Sequence, residues 1–194
     1  MQPELQSRRD AEVAAGAAEP PEQLGVLGLV GAHTFLDQQR ALDSPYGENR
    51  HYWKGHFVRE LPDELIDALI EQIAALGRPP GEVLIESLHG AATDGDVQAA
   101  AVGFRGAAFN VSAISRWRDP SHDAEQIQWA RDTASVIEPW SFSGGGYVNY
   151  MQGDEPIERV RAAFGVERFE RLRNLKGRFD PANVLRRNQN VPPL

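Results

Sequence analysis

The chain has 194 residues, 41% apolar and 25% charged, with a net charge of −8 and no cysteine. That length supports one domain with a real core, or a domain with a tail, and the composition excludes wholesale disorder. The acidic balance argues against a nucleic-acid surface, no apolar run reaches the ~20 residues of a membrane span, and the lack of cysteine excludes disulfides, thiol nucleophiles and thiolate metal sites.

In chain order, residues 1–33 read as a weakly structured leader, with a short glycine-broken apolar run from Leu24 to Val30. The leader has no basic and apolar secretory signature, which leads us to expect a cytoplasmic protein. Ser44-Pro45-Tyr46-Gly47 is a turn signal, and His51 to Val58 is an aromatic strand. Pro62-Asp63-Glu64 opens a helix whose apolar stripe is Leu65, Leu69, Ile73 and Leu76, stopped by Gly77 and Pro79-Pro80. Glu82 to His89 alternates as a strand, with Val83, Ile85, Ser87 and His89 on one face and Glu86 on the other. Further strands are expected near Ala99–Arg105 and over Ala108–Trp117, the latter placing Phe109, Val111, Ala113 and Ser115 together. Asp119-Pro120 starts a second long helix with Ile127, Ala130, Ala134 and Ile137 as its apolar stripe, ended by Pro139. Glu155–Phe164 and Val166–Lys176 are helical, with stops at Gly165 and Gly177, and Asp180 to Asn183 caps a final turn.

The fold class is therefore α+β: an antiparallel sheet covered on one side by helices, followed by a C-terminal strand-helix-turn segment. Three regions result, a leader (1–33), a sheet-and-helix region (34–142) and a C-terminal segment (143–194).

Gly144-Gly145-Gly146 leads into Tyr147-Val148-Asn149-Tyr150. Three glycines let the main chain bend sharply or lie close against a flat partner. If the next four residues form a strand, Tyr147 and Asn149 share one face while Val148 and Tyr150 share the other. A phenol beside a carboxamide can meet a heterocycle that carries both donors and acceptors. A hairpin lead-in to an ordinary core strand is the plainer reading of the same residues.

Other chemistry fails on inspection. The five histidines contain one close pair, His51 and His56, with no ligand cluster around it, so no metal site is expected. Nucleophile-elbow, P-loop and dinucleotide fingerprints are absent from the sequence. The basic stretch from Glu167 to Arg187 reads as a solvated face.

Taken together, the motifs resemble the berberine-bridge-enzyme-like FAD-linked oxidases. Tyr147-Val148-Asn149-Tyr150 is followed by Arg178-Phe179-Asp180-Pro181-Ala182-Asn183-Val184-Leu185 and by Asn188-Gln189-Asn190-Val191-Pro192, the order in which that family closes. Tyr52 to Leu61 resembles its strand-to-helix entry, Leu88-His89-Gly90-Ala91 its central strand end, and Trp117-Arg118-Asp119-Pro120 with Ile127 to Arg131 its second helix. The resemblance covers Thr34 to Leu194; Leu185 stands where the family usually has Phe.

The resemblance implies FAD as cofactor and hydride transfer from a small hydroxylated or amine substrate. It implies that Tyr147 and Asn149 face the flavin ring and that Tyr150 stands near the substrate as a base or orienting phenol. A phenol with a pKa near ~10 needs help to act as a base at neutral pH. On strand alternation, Tyr150 would face away from Tyr147 unless the strand twists or bulges. Glu86 and His89 lie on the strand expected to floor the substrate pocket, pointing to opposite faces. The family's N-terminal FAD-binding domain, with its covalent tethers, is not visible before Thr34, so weak or absent FAD binding by this chain alone is expected. The partners implied are a small-molecule substrate, a separate flavin-binding chain or self-association, without nucleic acid or membrane. Whether the chain is itself an enzyme stays open. The alternatives are a non-catalytic remnant that binds a small molecule or partner, and an unrelated α+β dimer whose tyrosine strand is core.

Overall fold

A computed structural model describes residues 34–40, 49–75, 81–96 and 100–194. The leader with its Leu24–Val30 run, the turn at 44–47 and the helix stop at 76–80 lie outside the described residues. The chain divides into two compact units, Met1–Ser44 and Pro45–Leu194. In the first, α1 (Phe35–Arg40) is a short helix whose start is held by Thr34: its Oγ1 accepts from the Asp37 amide at 3.1 Å and donates to the Asp37 carboxylate at 2.6 Å.

The second unit is built on a three-stranded antiparallel sheet in the order β1-β3-β2, with β1 at Arg50–Val58, β2 at Gly81–Ser87 and β3 at Phe109–Trp117. In register, Val58 faces Phe109 and Tyr52 faces Ser115 across β1 and β3, while Glu86 faces Asn110 across β2 and β3. The period of two then sorts the sheet into two faces. Phe109, Val111, Ala113, Ser115 and Trp117 turn toward helices α2 (Asp63–Ala75) and α3 (Asp123–Ile137). Trp53, Gly55, Phe57, Glu86, Asn110 and Ser112 turn the other way.

Helix α2 starts where expected, with its first amides returned to the Pro62 carbonyl. Leu65 and Leu69 are buried against Val58, Val111 and Ile137, each contributing about 1.5–3 kcal/mol by burial. Ile73, expected on the same stripe, is exposed. Asp119 caps the approach to α3 by accepting from the Ser121 amide at 2.9 Å, with Pro120 next in line. The buried face of α3 is Gln126, Trp129, Ala130, Thr133, Ala134 and Ile137, so the expected stripe holds at three positions while Ile127 packs at its margin.

Three local expectations give way. The strand expected near 99–105 is absent over 100–105, where the described residues form bends and one isolated bridge from Arg105 to Ala107. Gly177 lies inside α5 (Val166–Phe179) rather than ending it; α5 and α4 (Ile157–Phe164) are separated instead at Gly165, whose φ of +83° suits glycine. Residues 147–150 are not a strand but a single 3-10 turn, Val148–Tyr150, with Tyr147 at its start. The glycine run explains the last difference. It brings the backbone so close to α4 and β1 that no room is left for a pleated pairing: a Cβ on Gly145 would meet the Ala163 amide at 2.5 Å.

Candidate functional site

The site lies on the sheet face that α2 and α3 leave uncovered. Its frame is the segment after α3, which runs along the β1 edge. The Phe142 amide donates to the Phe57 carbonyl at 2.6 Å, and Arg159 donates to the Gly55 carbonyl. Gly55 is required here, because any side chain would strike β3 at Val111 and Ser112. The frame is tied down by charge. Glu155, almost fully buried, pairs with Lys54 at 2.7 Å and with Arg159 at 3.0 Å. Beside it, the Tyr52 hydroxyl donates to Asp154 at 2.9 Å, and Arg131 reaches both Tyr52 and Asp154. Burial pushes the Asp154 carboxyl up, but the Arg131 and Tyr52 hydrogen bonds outweigh it and hold the group below the usual carboxylate range.

His56 is the buried hinge of this frame. Burial first, then the charges of Arg159 and Lys54, push its pKa down to about 3, so it is neutral. Arg159 donates to its Nε2 at 3.4 Å, which leaves the proton on Nδ1, 3.2 Å from the Ser141 hydroxyl. The same hydroxyl accepts from the Gly144 amide at 3.0 Å. Thus β1 fixes the glycine run, and the glycine run aims the tyrosines.

In a 3-10 turn, residues three apart eclipse. Tyr147 and Tyr150 therefore meet edge to face, with centroids 4.8 Å apart, rather than on opposite sides as strand alternation requires. Asn149 donates to the Tyr147 hydroxyl at 2.8 Å. Tyr150 also packs on Trp53, with centroids 4.6 Å apart, and its hydroxyl donates to Glu86 at 3.1 Å. The other Glu86 oxygen accepts from Asn110 at 2.6 Å. All three residues singled out in the sequence thus come together, and Glu86 is held to them through Tyr150. His89 does not join them: it lies past the end of β2, with Nδ1 3.4 Å from the Ser87 hydroxyl.

Two clefts flank the cluster. One, of about 190 Å³, is lined by Phe57, Glu86, Leu88, Phe104, Asn110 and Tyr147. The other, of about 510 Å³, is lined by Asn149 together with Val148, Gln152, Arg187, Asn188 and Gln189. Gln189 anchors the tail by donating to the Met151 and Gln152 carbonyls. The Asp180 carboxylate accepts from the Val184 and Leu185 amides, so it fixes the tail as expected, although residues 181–183 form a turn rather than helix. Two buried polar atoms beneath the tyrosines, Asn110 Oδ1 and Ser112 Oγ, make no hydrogen bond. Unpaired buried acceptors are costly and mark a place where a ligand or water belongs.

Asn110 was not singled out from sequence. Its signal was a carboxamide within β3, between Phe109 and Val111, on the face that alternation turns away from the helices. The importance of Glu86 was only half legible, because its partner Tyr150 lies 64 residues away.

Residues 146–192 match the family model for berberine and berberine-like proteins. The chain is 25% identical over 170 residues to an uncharacterized FAD-linked oxidoreductase, YgaK, of Bacillus subtilis (strain 168), covering 86% of this chain and 37% of that protein. It is 26% identical over 163 residues to berberine bridge enzyme-like C-1 of Nicotiana tabacum, covering 68% of this chain and 28% of that one. The structure of berberine bridge enzyme from Eschscholzia californica superposes with a TM-score of 0.66 at 21% identity, over 77% of this chain and 34% of that one, which shows a shared fold. The chain is a relative of the berberine-bridge-enzyme-like FAD-linked oxidases over the part it spans, about a third of their length. FAD is the cofactor of that resemblance.

Proposed function

We propose that this chain forms the substrate-side wall and C-terminal segment of a FAD-dependent oxidoreductase acting on a small hydroxylated or amine substrate. The observation that carries the reading is the Tyr150–Glu86–Asn110 chain of hydrogen bonds, of which Glu86 and Asn110 line the smaller cleft beside Tyr147. When bound, the flavin supplies the hydride acceptor. The residues present fit such a group: Tyr147 and Asn149 offer a ring and a carboxamide toward its edge, and the unpaired Asn110 Oδ1 and Ser112 Oγ are acceptors for a bound donor.

The proton is the chain's own task. Glu86 is held by Tyr150 and Asn110 from its two oxygens, so its carboxylate accepts a proton arriving at the Tyr150 hydroxyl. This relay removes the need for an isolated phenol to act as a base. Trp53 fixes the Tyr150 ring from the other side. The apolar members of the smaller cleft, Phe57, Leu88 and Phe104, limit water near the reacting group.

The described residues supply no phosphate cradle, because the glycine run enters a single turn rather than a helix. The remainder of the flavin envelope is therefore assigned to polypeptide outside them, and the affinity of this chain alone for FAD is weak. No helix among the described residues is long and apolar enough to cross a membrane, and the lack of cysteine supports a cytoplasmic site of action. The test is a visible absorption spectrum of the purified chain after excess FAD is added and the unbound part removed. A colourless protein agrees with the proposal; stoichiometric flavin bands refute the division of labour.

A further inference from the structure

We propose that the fold has a built-in site for one structural water beneath the tyrosine turn, held jointly by Ser112, Glu155 and Arg159. Three polar atoms have unused hydrogen-bonding capacity there. Ser112 Oγ, Glu155 Oε2 and Arg159 Nε are each buried and make no hydrogen bond among the described residues. Ser112 is 1% exposed, and so is the Glu155 side chain. Glu155 Oε2 and Arg159 Nε form an ion pair at 3.0 Å, without the alignment of a hydrogen bond. The other atoms of these two groups are already engaged. Lys54 donates to Glu155 Oε1 at 2.7 Å, while the terminal Arg159 nitrogens reach the Gly55 carbonyl and His56 Nε2.

All three residues line one void of about 10 Å³ between the sheet and the turn, with Tyr147 and Tyr150 also in its wall. About 10–15 Å³ is the least space that holds a water, and a buried water needs two to four polar partners. Here it has three, of matching sense: it accepts from Arg159 Nε and donates to Glu155 Oε2 and to Ser112 Oγ. Lys54 lines the same void. Two cations against one carboxylate exclude a metal ion, and the volume excludes a larger molecule. Glycines keep the space open. Gly55 pairs with Ser112 across β1 and β3, and a Cβ on Gly55 would meet Ser112 Oγ at 2.4 Å. A Cβ on Gly146 would stand 3.2 Å from the Arg159 guanidinium. The water thus links β3 to α4 and to the carboxylate just before it. It is the donor that the unpaired Ser112 hydroxyl receives, while Asn110 lines the smaller cleft. The site is independent of the flavin and of the proposed catalytic role.

A crystal structure of the full chain, at a resolution that shows ordered solvent, tests the site. One water is expected within about 2.7–3.2 Å of all three atoms. A dry void, or Ser112 Oγ paired directly with Glu155 or Arg159, would overturn the proposal. In solution, magnetic relaxation dispersion of the water oxygen nucleus counts long-lived internal waters. Ser112→Val places a methyl group in the void and is expected to lower that count by one, with unchanged far-ultraviolet circular dichroism. An unchanged count in that variant contradicts the assignment. Should Ser112→Val fail to fold, Ser112→Ala takes its place. The water then loses one of three partners, and its residence time is expected to shorten by roughly tenfold; an unchanged residence time would also refute the site.

Discussion

The α-carbon of Gly146 sits against the carbonyl oxygen of Gly55: a Cβ built on Gly146 would come within 2.6 Å of that oxygen. This contact between the glycine run and the middle of β1 sets the height of the Tyr147–Tyr150 turn above the sheet. Gly146→Ala is expected to destabilise the fold by about 1–3 kcal/mol, because backbone must move to admit the methyl group. Urea unfolding measures the loss, and the near-ultraviolet circular dichroism of Trp53 against Tyr150 reports the displaced turn. Gly153→Ala is the control. Its Cβ meets nothing within 4 Å and its φ is not positive, so it is expected to be neutral or slightly stabilising.

His56 makes stability depend on pH above the carboxylate range. Its folded pKa of about 3 lies well below the ordinary imidazole value of 6.5. Between those values the unfolded chain binds a proton that the folded chain refuses, so stability falls as the pH falls below 6.5. The slope approaches about 1.4 kcal/mol per pH unit. The depressed carboxyls of Asp154 and Asp180 lose their contribution only at lower pH, which leaves pH 6.5 to about 5 to the imidazole. Urea midpoints over that window are expected to drop in the wild type and to flatten in His56→Gln.

The ion pairs differ in value according to burial. Glu155 is buried between Lys54 and Arg159, and Glu155→Ala leaves two cations without their carboxylate at a cost of about 3–5 kcal/mol. Arg50 meets Asp123 at a similar distance, but the pair is well exposed, so Arg50→Ala is expected to cost under about 1 kcal/mol. Thermal or urea unfolding of the two variants side by side checks the contrast.

Much of the scaffold was legible in the residues because its signals are local. Pro62-Asp63 and Asp119-Pro120 mark helix starts by capping chemistry, and the alternation around Val111 and Ala113 marks a strand whose one face packs on the helices. The turn at Tyr147 was misread because Tyr-Val-Asn-Tyr has strand composition, while its conformation is imposed from elsewhere, by Gly146 against Gly55 and by His56 through Ser141. Tyr147, Asn149 and Tyr150 do gather, yet their partner Glu86 depends on the packing of the segment after α3 over the sheet. No sequence period encodes such a long-range contact.

A chimera tests the catalytic account most directly. This chain replaces the matching third of the Bacillus subtilis FAD-linked oxidoreductase, and the purified flavoprotein is mixed anaerobically with candidate alcohols and amines. The account predicts substrate-driven bleaching of the flavin absorbance, slowed by about 10²–10⁴-fold in Glu86→Gln and slowed likewise in Tyr150→Phe, with the flavin content of both variants unchanged. Bleaching at the full rate in both variants would contradict the assignment of the proton relay to Tyr150 and Glu86.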